Sequence, residues 1–212
     1  MGDMGQLAAY LFSAHTGYDV VGFCVDEDYA TVASFMDLPV VAFGRAMEAF
    51  PPDSHDMFVA VGYRNLNKIR EEKYHAARAA GYRLATYVSP QATVFDNVEL
   101  GDNCFVFENN VLQPFVKIGC DTVLWSGNHV GHHSVIGDHC FIASHAVISG
   151  RVHVGRSCFI GVNATLRDHI TVGDRCIIGA GALLLADAAP EGVYMGDATP
   201  RSAIPSTRLK TM

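Results

Sequence analysis

Four histidines fall within residues 126–140, SGNHVGHHSVIGDHC: His129, His132, His133 and His139. Imidazole titrates near neutral pH, which suits two kinds of chemistry. It can take a proton from an attacking hydroxyl or amine as a general base. It can also ligate zinc when several rings converge. The choice between these depends on which of the four share a surface, and so on the element that carries them.

That element is written in a period of six. From Val88 to Leu184 every sixth residue is Val, Leu or Ile, seventeen positions without a break. Gly often follows, as at Gly101, Gly119, Gly131 and Gly137, and a small residue often stands two before. This is the repeat of a parallel β-helix. Strand alternation turns the aliphatic and the small residue inward, and Gly admits a turn with positive φ. Three hexapeptides close one triangular coil, so residue n stacks on n+18. About five coils at ~4.8 Å give a prism roughly 25 Å long.

Register then assigns sides. Val130, Ser134, Ile136 and Cys140 face the core. His129 faces outward on a strand, and His132 and His133 sit at the following corner. His139 and His145 share the corner phase of His133 on the next two corners, and with His153 and His169 they are expected at the surface or an interface. Cys104, Cys140, Cys158 and Cys176 form one internal column, with Thr122 in the missing rung. Such a column reads as buried packing, and no CxxC pair suggests a metal or redox site. One outward column is a continuous apolar stripe: Tyr87, Phe105, Val123, Phe141, Phe159, Ile177. Water does not ordinarily face such a stripe, so it is predicted to be buried against another chain by closed three-fold association.

Residues 1–86 lack the period. Helical and strand-like segments alternate there, which predicts a small open α/β sheet. MGDMGQLAAYL resembles the end of a G-x-G-x-x-G turn, with Gly2 and Gly5 as its last glycines and Asp26 ending the next strand. Such a turn sets backbone N–H groups and a helix N-terminus against phosphates. Residues 87–187 form the prism, and residues 188–212, rich in proline and small residues, are expected to be an extended tail. The formal net charge is -7 without a basic run, which argues against a general nucleic-acid or membrane-surface binder. No apolar run approaches ~20 residues and no signal peptide opens the chain, so a cytoplasmic location is expected.

The order of these parts, with YVSPQATV, HHSVIGD, FIGVNATL, IIGAGALL and GVYMGDATPR, resembles the bacterial sugar acetyltransferases of left-handed β-helix type, in particular the sialic acid O-acetyltransferase and UDP-bacillosamine N-acetyltransferase group. The resemblance implies a truncated Rossmann-like nucleotide-sugar domain, then a left-handed parallel β-helix, in a homotrimer with active sites between adjacent prisms. It implies acetyl-CoA as co-substrate, no metal, and a nucleotide-linked amino sugar as acceptor, in cell-surface polysaccharide or glycan precursor synthesis. It puts the general base on His132, with His133 beside it and His129 as runner-up. Acetyl-CoA would be held by Phe141, Gly150, Gly161, Asn163, Gly179 and Gly181, with the Gly150 N–H at the thioester carbonyl. The nucleotide sugar would meet Gly2, Gly5, Asp26, the turn at Gly62, Arg64 and Asn65, and Trp125. Two positions depart from the family: His133 stands where an Asp or Glu is usual, and Trp125 where Asn is common. Two other readings remain open: a trimeric β-helix zinc enzyme of carbonic anhydrase type, and a non-catalytic scaffold.

Overall fold

The computed structural model describes residues 2–208. Its larger part is a parallel β-helix of two-residue strands arranged in three sheets of seven, six and five strands. The chain visits the seven-strand sheet at Tyr87–Val88, the six-strand sheet at Thr93–Val94 and the five-strand sheet at Glu99–Leu100, then returns to the first at Phe105–Val106. The expected register holds: Val111 pairs with His129, Val135 with His153 and Phe141 with Phe159. The final coil is shorter by two residues, with Val193–Tyr194 pairing on Ile177–Ile178. Stacking therefore runs past the expected boundary at residue 187, and the tail begins after Tyr194. Among the described residues no helix is long and apolar enough to cross a membrane.

The aliphatic column fills the interior, with Leu112, Leu124, Val130, Ile142 and Ile160 fully buried. The cysteine column is buried too, but not merely as filler. Cys104, Cys140 and Cys158 each point Sγ at a carbonyl of the next coil, those of Gly119, Gly155 and Gly173, at 3.1–3.2 Å. Thr122 does the same with its hydroxyl, on Gly137 O at 3.0 Å. The column thus selects a small side chain that can donate, which is why threonine replaces cysteine without a gap. Burial lifts the Cys104 thiol to about 12, so it is no nucleophile.

The corners correct the expected role of glycine. The left-handed residue of each turn is the third after the aliphatic one, and only Gly127 and Gly181 are glycines there; elsewhere it is Asn103, Asp121, His133, His139, His145, Asn163 or His169, among others. Asn, Asp and His are the non-glycine residues that adopt this conformation most readily. Four histidines of the prism are accounted for in this way. The glycine directly after the aliphatic residue answers a different need. A Cβ on Gly131 would lie 2.6 Å from the backbone nitrogen of Gly150 in the next coil.

The N-terminal part carries α1 (Asp3–His15), β1 (Phe23–Val25), β2 (Ser34–Phe35), β3 (Leu38–Ala42), a short α2 (Ala46–Ala49), β4 (Asp56–Met57), α3 (Lys68–Ala79) and β5 (Arg83–Leu84). β1 and β2 flank β3, parallel and antiparallel respectively, while β4 and β5 pair in parallel. Helices and strands alternate, but the strands form two small sheets where one open sheet was expected. The strands are shorter than the apolar runs DVVGFCVD and DMFVAVG; Val20 of the first and Phe58 and Ala60 of the second lie outside the strands and pack in the cluster over the prism.

That packing overturns the expected partner of the apolar stripe. Tyr87, Phe105, Val123 and Phe141 lie buried in one cluster with Ala8 and Phe12 of α1, joined by Phe58 and Val20. Phe12 meets Tyr87 and Phe58 meets Phe105 at ring separations of 5.6 and 4.9 Å. The chain covers its own stripe, because α1 and the segment just after β4 supply a matching aromatic face.

A buried polar network rivets the same junction. Arg70 of α3 pairs with the Asp121 carboxylate at 3.2 Å and donates to the carbonyls of Asp121 and Cys140. Asn67 donates to Cys158 O and accepts from Arg70. Asn103 accepts from the Val59 N–H and donates to Asp121. Phe105→Ala, which empties a fully buried aromatic site between the two parts, is expected to lower unfolding free energy by about 3–5 kcal/mol, measurable by urea titration.

Candidate active site

His132 and His133 occupy the corner between the six-strand and five-strand sheets, after His129–Val130 and before Val135–Ile136. Both side chains are exposed. Three coils meet here. The His132 N–H donates to Oε1 of Gln113 at 2.9 Å, the His133 N–H to Pro114 O, and the Arg151 N–H to His132 O. The backbone is therefore fixed from both sides while the rings stay free.

The imidazole of His132 lies over Gly150 of the next coil: a Cβ there would stand 2.9 Å from its Nε2. Gly150 leaves room for the ring, and its own N–H has no acceptor among the described residues. Nδ1 of His132 lies 3.1 Å from Nδ1 of His133. One nitrogen must donate and the other accept, so one ring is held by the other. His133 is itself held, by its left-handed backbone (φ 59) and by the Phe115 ring at 4.6 Å. Desolvation, then the charges of Arg151 and His132, push the His133 imidazole below its ordinary value. Neutral His133 can offer Nδ1 as acceptor, which leaves Nδ1–H on His132 and a free lone pair on its Nε2.

His129 lies half-buried on the six-strand sheet, in the outward column between Val111 and Val147. It shares a face with the His132 corner but makes no hydrogen bond to it among the described residues. Gly161, Asn163, Gly179 and Gly181 gather at the other edge of the same sheet, at the corners that precede Thr165–Leu166 and Leu183–Leu184. Asn163 and Gly181 hold the left-handed position there, at φ 57 and 67. The two candidate groups thus flank the one sheet whose outward column carries exposed Val147 and Leu183. Phe141 departs from the expected cofactor set. It is 5 % exposed, beneath Tyr63 and stacked with Phe159 and Trp125, so it belongs to the junction with the N-terminal part. His139 also departs from expectation, being buried against α3.

The expected nucleotide segments lie on the N-terminal part. Gly2 caps α1 in extended conformation and Gly5 lies in its first turn; a Cβ on either would meet open space. Asp26 follows β1 and pairs with Lys73 of α3. Gly62, Arg64 and Asn65 belong to the loop that enters α3, where Asn65, Leu66 and Asn67 are left-handed in succession (φ 50 to 66). Arg64 and Asn65 are exposed, and Asn67, missed in the sequence, is the buried anchor of this loop. Trp125 is half-buried and stacks on Phe107 at 4.2 Å. A groove of about 550 Å³ beside this part is lined by Asp53, His55, Arg78, Arg83 and Asp102 and contains none of His129, His132 and His133.

The model of the bacterial transferase hexapeptide family (six repeats) matches residues 115–150 and again 151–186. Solved structures are similar along nearly the whole chain. The acetyltransferase domain of PglB from Neisseria gonorrhoeae is 28 % identical with a TM-score of 0.82, covering 92 % of this chain and 93 % of that one. PerB from Caulobacter crescentus, solved with CoA and GDP-perosamine, is 26 % identical with a TM-score of 0.82, covering 92 % and 90 %. A histidine-to-asparagine variant of perosamine N-acetyltransferase from the same organism, with the same two molecules, is 25 % identical with a TM-score of 0.80 at the same coverage.

The corner makes a titration testable without substrate. In an NMR pH titration His133 is expected to protonate below 6.5, its ordinary value. A lowered value means that the proton binds only after pH has fallen further. Arg151→Ala removes a neighbouring positive charge and should move the value back up; no change would discard that source of the shift.

Proposed function

We propose that this chain, an acyltransferase of the hexapeptide-repeat type, transfers the acetyl group of acetyl-CoA to the amine of a nucleotide-linked sugar. The observation that carries the proposal is the His132 corner: an exposed imidazole seated on Gly150, beside an uncommitted N–H, with its Nδ1 bonded to a second ring. The likeness to N-acetyltransferase structures spans the N-terminal part as well as the prism, which supports a nucleotide sugar held there.

In the proposed reaction the acceptor nitrogen attacks the thioester carbonyl carbon directly. Nε2 of His132 takes the proton that the nitrogen loses, and the Gly150 N–H donates to the oxygen as negative charge develops. The C–S bond then breaks, and the imidazolium returns its proton to the departing thiolate. His133 does the work that the family resemblance implies for an acid at this position. Its Nδ1 accepts from His132, fixing the ring and its tautomer. A neutral acceptor stabilises the imidazolium formed in the reaction less than a carboxylate would.

The single chain leaves this corner open, and the six-strand sheet beside it uncovered. Phe95, Phe115, Val147, Leu183 and Leu185 are all large, apolar and exposed on this sheet or at its edge. We place the trimer contact here, not on the stripe that the N-terminal part covers. A neighbouring prism would then close the site between His132 of one chain and the Asn163 corner of the next. The left-handed sense of the coil, the nucleotide-sugar role of residues 1–86 and a cytoplasmic place in glycan precursor synthesis belong to the same proposal.

The test is release of CoA thiol from acetyl-CoA against a panel of nucleotide-linked amino sugars. His132→Ala is expected to cut kcat by about 10²–10⁴-fold. His133→Ala should cost roughly tenfold, the worth of one hydrogen bond of about 1.4 kcal/mol. Gly150→Ala should lower kcat by displacing the His132 ring, with the oligomer intact by light scattering. Undiminished turnover in His132→Ala would move the base to His129, and no turnover with any amino sugar would sink the substrate class.

A further inference from the structure

On another corner, between the five-strand and seven-strand sheets, α3 sets Glu71 and His75 against His139 of the prism. Glu71 and His75 are four residues apart on one helix and so share a face. His139 is 4 % exposed and held in the left-handed conformation at φ 59. Its Nδ1 lies 2.8 Å from Oδ2 of Asp121, a fully buried carboxylate that also pairs with Arg70. An ionised carboxylate only accepts, so Nδ1 of His139 carries the proton. In the neutral ring Nε2 is left with its lone pair, 3.9 Å from Oε1 of Glu71 and outside hydrogen-bond range. His75, exposed on α3, meets His139 in an edge-type ring contact with centroids 5.4 Å apart.

One ligand atom from each of the three residues lies within 4.8 Å of the others. Tetrahedral zinc, with ligands at about 2.0–2.2 Å, holds them roughly 3.3–3.5 Å apart. Small rotations of half-buried Glu71 and exposed His75 cover the difference. A carboxylate behind a ligating imidazole is the usual support of such a site, fixing tautomer and direction, and Asp121 already stands there. Glu71 now also meets Arg156 through Oε1, and Ser157 Oγ at 3.4 Å through Oε2. The Arg156 side chain is half exposed and can swing to solvent.

We propose that Glu71, His75 and His139 bind one divalent transition-metal ion, with water completing the shell. Two imidazoles and a carboxylate suit zinc. The ion would staple α3 to the prism just behind the 62–67 loop. It lies on a different corner from His132 and takes no part in the transfer.

The intact chain, stripped with chelator, is titrated with zinc by calorimetry and with cobalt by visible absorption. One equivalent per chain is expected, with tetrahedral cobalt bands and a Tm that rises with zinc. His75→Ala and Glu71→Gln, both at positions the fold does not bury, should each weaken zinc binding by roughly tenfold or more and abolish the rise in Tm. His132→Ala should bind zinc like the parent chain. No saturable binding at millimolar zinc would overturn the proposal, leaving an ion-pair network alone. So would binding that survives His75→Ala but is lost in His132→Ala.

Discussion

A strand of two residues cannot hold itself in place. Its amides and carbonyls are satisfied only by the coils above and below, and in this chain they are paired at n and n+18 through nearly the whole prism. A slip of one residue in any coil would turn its aliphatic side chain to water and its outward residue to the core. The ladder therefore fixes direction as well as pairing. His132 sits over Gly150, and His133 between Phe115 and Arg151, because each is one coil from its neighbour. The arrangement of that corner depends on backbone hydrogen bonds far more than on contacts of the histidines themselves.

The same ladder explains where histidines collect. Each corner needs a residue in the left-handed region, and the close approach of coils bars a Cβ at the glycine two positions earlier. Histidine tolerates the left-handed conformation, so His133, His139, His145 and His169 have a structural reason to be there. His132 and His129 do not share that reason. Their neighbours in the fold then decide what each histidine can do. His133 stays exposed beside His132, while the same backbone conformation drives His139 under α3 and onto Asp121.

The junction of the two parts shows how apolar and polar burial divide the work. Aromatic rings from α1 and the segment around Phe58 cover the stripe of the seven-strand sheet. At its edge Arg70, Asp121, Asn67 and Asn103 satisfy one another and several backbone groups. A buried charge pair of this kind contributes little net stability but is costly to break. It holds the loop at residues 62–67 in one place, and that loop carries the exposed Arg64 and Asn65.

Periodicity alone determined the coil, the inward columns, the outward position of His129, His132 and His133, and the internal cysteines, because a repeat of eighteen residues makes every coil a neighbour of known register. The family resemblance of the motifs rested on the same local pattern. Contacts between parts distant in sequence were not legible. The apolar stripe announced that something must cover it but not that residues 8, 12 and 58 would, since a complementary surface has no sequence signature. Phe141, expected against another chain and the cofactor, and His139, expected at the surface or an interface, lie in contacts with the N-terminal part for the same reason. The partnership of His132 with His133, where an acid was usual, needed ring orientations, and the meeting of Glu71 and His75 with His139 needed α3 docked on the prism. Register is a one-dimensional property and can be counted. Docking depends on three-dimensional complementarity, which only the folded chain supplies.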